Sequence, residues 1–125
     1  MDLQLIALDE PAETRVFEKG RFDVYRVGPL TVGRATYEPG WRWSEHVATE
    51  GVNGLCMIEH VGLVIEGQAA VLMEDGREAV MKAGDFFYIP PGHDSWVVGD
   101  DPYVSLHLMG TDRYAIQAGR ETDSD

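Results

Sequence analysis

The sequence predicts an all-β single domain, a sandwich or a barrel, from three observations. Fourteen glycines and six prolines interrupt a chain of 125 residues every few positions. The runs between them are short and rich in Val, Ile, Leu, Phe, Tyr and Trp, the residues that suit a pleated, half-buried surface. None of these runs needs a helix to explain it, and 125 residues are enough for one core of ordinary size.

In chain order, strands are predicted at residues 14–18, 22–27, 30–37, 43–47, 57–65, 69–73, 78–81, 86–89, 95–98 and 103–109. Each has about the length of an average strand. Turns are predicted at Glu38-Pro39-Gly40, Glu66-Gly67, Lys82-Ala83-Gly84, Pro90-Pro91-Gly92 and Gly99-Asp100-Asp101-Pro102. The clearest hairpin is at Asp75-Gly76, between Val71-Leu72-Met73 and Ala79-Val80-Met81, because this pair tolerates the positive φ angles of a tight primed turn. Residues 111–125 are polar, with Tyr114, Ala115 and Ile116 as the anchors available, and read as a mobile tail.

Ten Lys and Arg against 22 Asp and Glu give a net charge of −12. Such a polyanion repels phosphate backbones and acidic headgroups, which argues against nucleic acid or a membrane surface as partner. The longest apolar runs, such as 61–65, fall far short of a bilayer span of roughly 20 residues. The N-terminus carries Asp2, Asp9 and Glu10 around a short apolar patch, without the basic region or cleavage site of a signal peptide. The single cysteine, Cys56, forms no internal disulfide, which fits a reducing compartment. The expected location is the cytoplasm.

Two stretches resemble the motifs of the cupin superfamily. The first motif reads G-x5-H-x-H-x3,4-E-x6-G. Gly40 is followed after five residues by His46, and His60-Val-Gly-Leu-Val-Ile-Glu-Gly67 fits the closing E-x6-G with His60 in place of the glutamate. The second reads G-x5-P-x-G-x2-H-x3-N, and Gly84-Asp-Phe-Phe-Tyr-Ile-Pro90-Pro91-Gly92 matches its first half without a gap. Ala48, Ser95 and Gly99 stand where the family has its second and third histidines and its asparagine, and the 47–59 loop is longer than the motif allows. The resemblance implies a single-domain cupin jelly-roll β-barrel over residues 1–110, N-terminal strands included, with 111–125 as the tail.

The resemblance also implies a divalent metal ion (Zn, Fe, Ni, Mn or Cu) held by converging imidazoles. The candidate ligands are His46, His60, His93 and His107. His46 and His60 fall at barrel-mouth positions through the motif and are also the candidate catalytic pair, serving as acid and base if no metal binds. His93 follows the Gly92 corner and is open to solvent or to the cavity. His107 shares its strand parity with Tyr103, Ser105 and Met109, while Val104, Leu106 and Leu108 make the apolar face, and in cupins this strand lies beside the one carrying His60. Cys56, four residues before His60, is either a small buried hydrophobe or a soft ligand on the same strand face.

Aromatic residues gather near the two motifs. Trp41, Trp43, Trp96 and Tyr88 are candidate walls of an apolar ligand cavity, or else core or interface packing, and Arg42 could meet a substrate carboxylate or pair with a surface acid. Strand 57–65 is apolar on both parities, so its sheet needs cover on both faces, and a homodimer packed sheet to sheet supplies it. The expected function is a small-molecule-binding cupin. It acts as a metal-dependent enzyme of oxygenase, isomerase or cyclase type, or alternatively as a metal-free ligand-binding or sensor module. Gly51, Asn53 and Gly54 would let the 47–59 loop serve as a lid.

Overall fold

The computed structural model describes residues 2–47 and 54–114. Nine strands are found there: β1 (Glu13–Phe17), β2 (Gly20–Val27), β3 (Leu30–Tyr37), β4 (His60–Glu66), β5 (Gln68–Met73), β6 (Glu78–Lys82), β7 (Phe86–Ile89), β8 (His93–Val97) and β9 (Tyr103–Met109). A four-residue helix, α1 (Trp43–His46), and a closing 3-10 turn (Thr111–Arg113) complete the elements. All strand pairs are antiparallel, in a six-stranded sheet of order β1-β2-β3-β9-β4-β7 and a three-stranded sheet of order β6-β5-β8. Their inner faces enclose a core built on Phe22, Val24, Trp41, Val64 and Ala69. No helix among the described residues is long and apolar enough to cross a membrane.

This is the expected jelly roll, but the two sheets do not close into a barrel. β6 and β7 are consecutive in the chain, yet they end different sheets, so the cylinder stays open along that seam. The hairpin at Asp75-Gly76 forms as β5-β6, but its loop has three residues, Glu74, Asp75 and Gly76, between the facing Met73 and Arg77, and of these only Gly76 takes a positive φ, 93°. Its N–H donates to Met73 O at 2.9 Å. The loop is thus a turn closed by a left-handed glycine at its last residue, rather than a two-residue primed turn.

Residues 43–47 depart from the expected strand. The backbone N–H and hydroxyl of Ser44 donate to the Asp94 carboxylate at 3.0 and 2.8 Å, so a side chain from β8 caps the free N–H at the start of α1. A partner fifty residues away overrides the local β pattern. The strand predicted at 57–65 begins only at His60, because residue 56 bridges to His93 on the other sheet before the chain crosses to β4. Part of the stretch expected to be a tail is packed. Thr111 and Tyr114 are buried, and Arg15 Nη1 donates to the carbonyls of both, at 2.9 and 2.6 Å. Residues 115–125 lie outside the described residues.

Candidate metal centre

The polar parity of β9 faces inward. Tyr103, Ser105 and His107 are buried, while Val104, Leu106 and Leu108 lie on the outer face. In the sheet His107 stands opposite Gly33 of β3 and Gly62 of β4. A side chain at Gly33 would strike the Phe22 ring, and one at Gly62 would strike Leu106 O and the Phe87 ring. The two glycines leave room for Phe22 and Phe87, whose rings meet His107 edge-on at 5.3 and 5.5 Å between centroids.

His60, the first residue of β4, also faces inward and is 3% exposed. Its ring lies 5.2 Å from His107, 5.3 Å from His93 and 5.1 Å from Tyr114, each in an edge arrangement. His93 comes from the opposite sheet. The Pro90-Pro91-Gly92 corner turns it inward, and it is 2% exposed rather than facing solvent. The same corner holds Cys56: Gly92 N–H donates to Cys56 O at 2.8 Å, and Cys56 N–H donates to His93 O at 2.7 Å.

Cys56, His60 and His93 form the one group among the described residues whose ligating atoms could hold a metal ion, all lying within 4.8 Å of one another. Cys56 Sγ is 3.7 Å from His60 Nε2. A tetrahedral dication with ordinary metal–sulfur and metal–nitrogen bonds spaces such a pair about 3.6 Å apart, so the pair is set for one. His93 Nδ1 lies 2.7 Å from Pro90 O, an acceptor, so Nδ1 carries the proton and the Nε2 lone pair is free. Burial, with the neighbouring imidazoles, holds His60 well below the usual histidine range. Burial lowers His93 and pushes His107 down to about 3, so all three rings are neutral near pH 7. Burial also pushes the Cys56 thiol up to about 11, so its proton leaves on metal binding rather than before it.

The structure sorts the other candidates. His46 stands apart, on α1, with Nδ1 accepting the Arg42 N–H at 3.0 Å and Nε2 at 3.9 Å from Glu18. It is not a member of the cluster, because the helix turns its ring away from where a strand would have aimed it. His107 lies beside the cluster, with Nε2 engaged by Ser105 Oγ at 3.0 Å. Trp41 and Trp43 line the small cavity between the histidines, about 30 Å³ in volume. Trp96 and Tyr88 do not. Trp96 lies under the Arg42 guanidinium at 4.3 Å, and Tyr88 is exposed, donating to Glu59 at 2.7 Å. Arg42 is committed to Asp94 at 2.8 Å. Residues 48–53 of the expected lid lie outside the described residues.

Cys56 was reachable from the motif. Counting back from Gly67 fixes His60 at the glutamate position, and three intervening residues then put Cys56 where the second histidine belongs. Anchoring the count at Gly40 and His46 hides this. Ser95 holds the second motif's histidine position, and His93, two residues earlier on β8, shares its inward parity. Asp94 and Tyr114 carried no local signal.

A two-layer antiparallel jelly roll with imidazoles converging between its sheets is the class the geometry defines. Residues 57–109 match the cupin domain family. It is similar to a Rhizobium leguminosarum protein of unknown function, at 18% identity and a TM-score of 0.61, over 87% of this chain and 97% of that one. KdgF from Halomonas sp. is similar at 18% identity and 0.61, over 86% and 94%. An oxalate decarboxylase variant from Bacillus subtilis is similar at 23% identity and 0.60, over 82% of this chain and 28% of that one. These likenesses are of fold. No curated protein matches the chain.

Proposed function

We propose that this chain is a metal-dependent cupin enzyme in which Cys56 Sγ, His60 Nε2 and His93 Nε2 hold one divalent ion, acting on a small organic molecule. The observation that carries the reading is the convergence of three buried donors from two sheets, one with its tautomer already set by Pro90 O. A thiolate with two imidazoles favours Zn, Fe, Cu or Ni over Mn among the metals expected. The ion supplies Lewis acidity toward a substrate oxygen, or activates water or dioxygen. The chain's own residues keep the donors neutral, exclude bulk water and close the space with Trp41, Trp43 and Tyr114. A reducing, cytoplasmic setting belongs to the proposal, since it preserves the Cys56 thiol.

The cavity among the histidines is too small for an aromatic substrate. Room of ligand size, about 430 Å³, lies instead in the open seam between β6 and β7, lined by Met73, Val80, Phe86 and Tyr88. Met81, Phe87 and Ile89 line both spaces and form the wall between them. That wall favours the second reading, a non-catalytic module that binds its ligand in the seam. Metal analysis of purified protein decides. The enzyme reading expects one equivalent in the wild type and its loss in Cys56→Ala, His60→Ala and His93→Ala. Less than about a tenth of an equivalent in the wild type would leave the module.

The proposal includes a homodimer through the outer face of the six-stranded sheet. Ile65, Phe86 and Leu108 are 43%, 76% and 45% exposed there, a patch that a second copy would cover.

A further inference from the structure

Two tryptophans beside the centre hold donors with nothing to donate to. Trp41 is 1% and Trp43 6% exposed, and both indole Nε1 atoms are buried without a partner. An indole nitrogen only donates, and burying one without an acceptor is costly, so two on the wall of one small space call for an occupant. His107 Nδ1, on the same wall, is also without a partner. It becomes an N–H donor when Ser105 Oγ donates to Nε2, and His60 Nδ1, likewise buried without a partner, is another when Nε2 holds the metal.

The wall is chemically selective. None of the residues around the cavity is acidic, although the chain carries 22 Asp and Glu. About 30 Å³ admits about two water-sized groups, which excludes a ring or a sugar. A dication with one thiolate and two neutral imidazoles keeps a net charge of +1, which is costly to bury uncompensated.

We propose that the cavity binds one small monoanion, of about two or three heavy atoms, as acceptor for the N–H groups of Trp41 and Trp43. The proposal rests on the metal reading for the charge it balances, and on the indoles for its place and size. The occupant is a ligand or co-substrate of this class, distinct from any organic molecule in the seam.

Azide is the probe, titrated into the Co²⁺-loaded protein and followed by the visible absorption of the metal. The expected result is a saturable spectral change. Trp41→Phe and Trp43→Phe each keep one equivalent of cobalt but weaken azide by about tenfold or more, the loss of a hydrogen bond to a charged group. One equivalent of cobalt with no response to azide, or variants that bind azide as tightly as the wild type, overturns the anion site and leaves the metal reading standing. A wild type that takes up no cobalt overturns both. If either variant fails to fold by circular dichroism, a crystal structure of the wild-type azide complex decides: azide beyond hydrogen-bond distance of both indoles refutes the proposal.

Discussion

The inner faces of β4 and β9 carry polar groups among their core residues, while the outer faces are apolar. Inside stand His60, Gly62 and Val64 of β4 with Tyr103, Ser105 and His107 of β9, and outside stand Val61, Leu63, Ile65, Val104, Leu106 and Leu108. In an ordinary soluble sheet the alternation would put the apolar set against the core. Here it locates two faces and leaves their direction to the glycines and the motif. A run of polar residues pointing inward marks a place where packing gives way to chemistry, and an apolar exterior marks a surface that wants cover.

The largest effect on this contrast is expected at Gly62, an inward position of β4 pressed against the β9 backbone. Gly62→Ala presses a methyl group into Leu106 O and to 2.6 Å from the Phe87 ring. A loss of about 3 kcal/mol or more is expected in denaturant unfolding, since backbone cannot yield as a side chain can. An effect below about 1 kcal/mol would show that β4 and β9 are not packed this tightly.

The inner face is next tested by acid. A histidine buried neutral binds fewer protons folded than unfolded, so below the ordinary value of 6.5 the unfolded state gains protons and stability falls as pH drops. For His107 this continues toward a folded value of about 3 and is fully relieved above 6.5. Metal-free protein is expected to lose about 1.4 kcal/mol per pH unit between pH 6 and 5 for each such histidine. His107→Asn should flatten that slope by one proton, and an unchanged slope would place the ring in contact with solvent.

The outer face offers a gentler test. Leu106→Ser on an exterior that covers a second copy should weaken dimerisation by about tenfold in sedimentation, with little change in metal content. A wild type that sediments as a monomer at micromolar concentration removes the dimer from the proposal. The smallest expected effect is at Tyr37→Phe, which breaks the 2.8 Å hydrogen bond between the Tyr37 and Tyr114 hydroxyls. It should cost about 1 kcal/mol in thermal unfolding. Equal stability would mean the pair contributes no net free energy.

The sequence showed the fold where turn residues bracket a strand. β3 and β7 sit where Gly28 and Pro39, or Gly84 and Pro90, confine them. It failed at 43–47, because the carboxylate that caps α1 sits on β8. The site was half legible for the same reason. His60 follows from the spacing to Gly67, and the inward parity of His107 from its strand neighbours. That Cys56 reaches the cluster from the opposite sheet depends on a single bridge to His93, which no periodicity records.

Arg15 does more than fasten the chain end. By gripping the carbonyls of Thr111 and Tyr114, it seats a phenol ring 5.1 Å from His60 and 6.1 Å from His107. A protein truncated after Gly110 would retain every strand, yet lose the Tyr114 ring from beside those imidazoles and leave the buried Arg15 guanidinium with Glu13 but without its carbonyl acceptors. Thr111 to Tyr114 therefore belong to the wall of the candidate site, and a version shortened before them should be judged by metal retention before it is judged by folding.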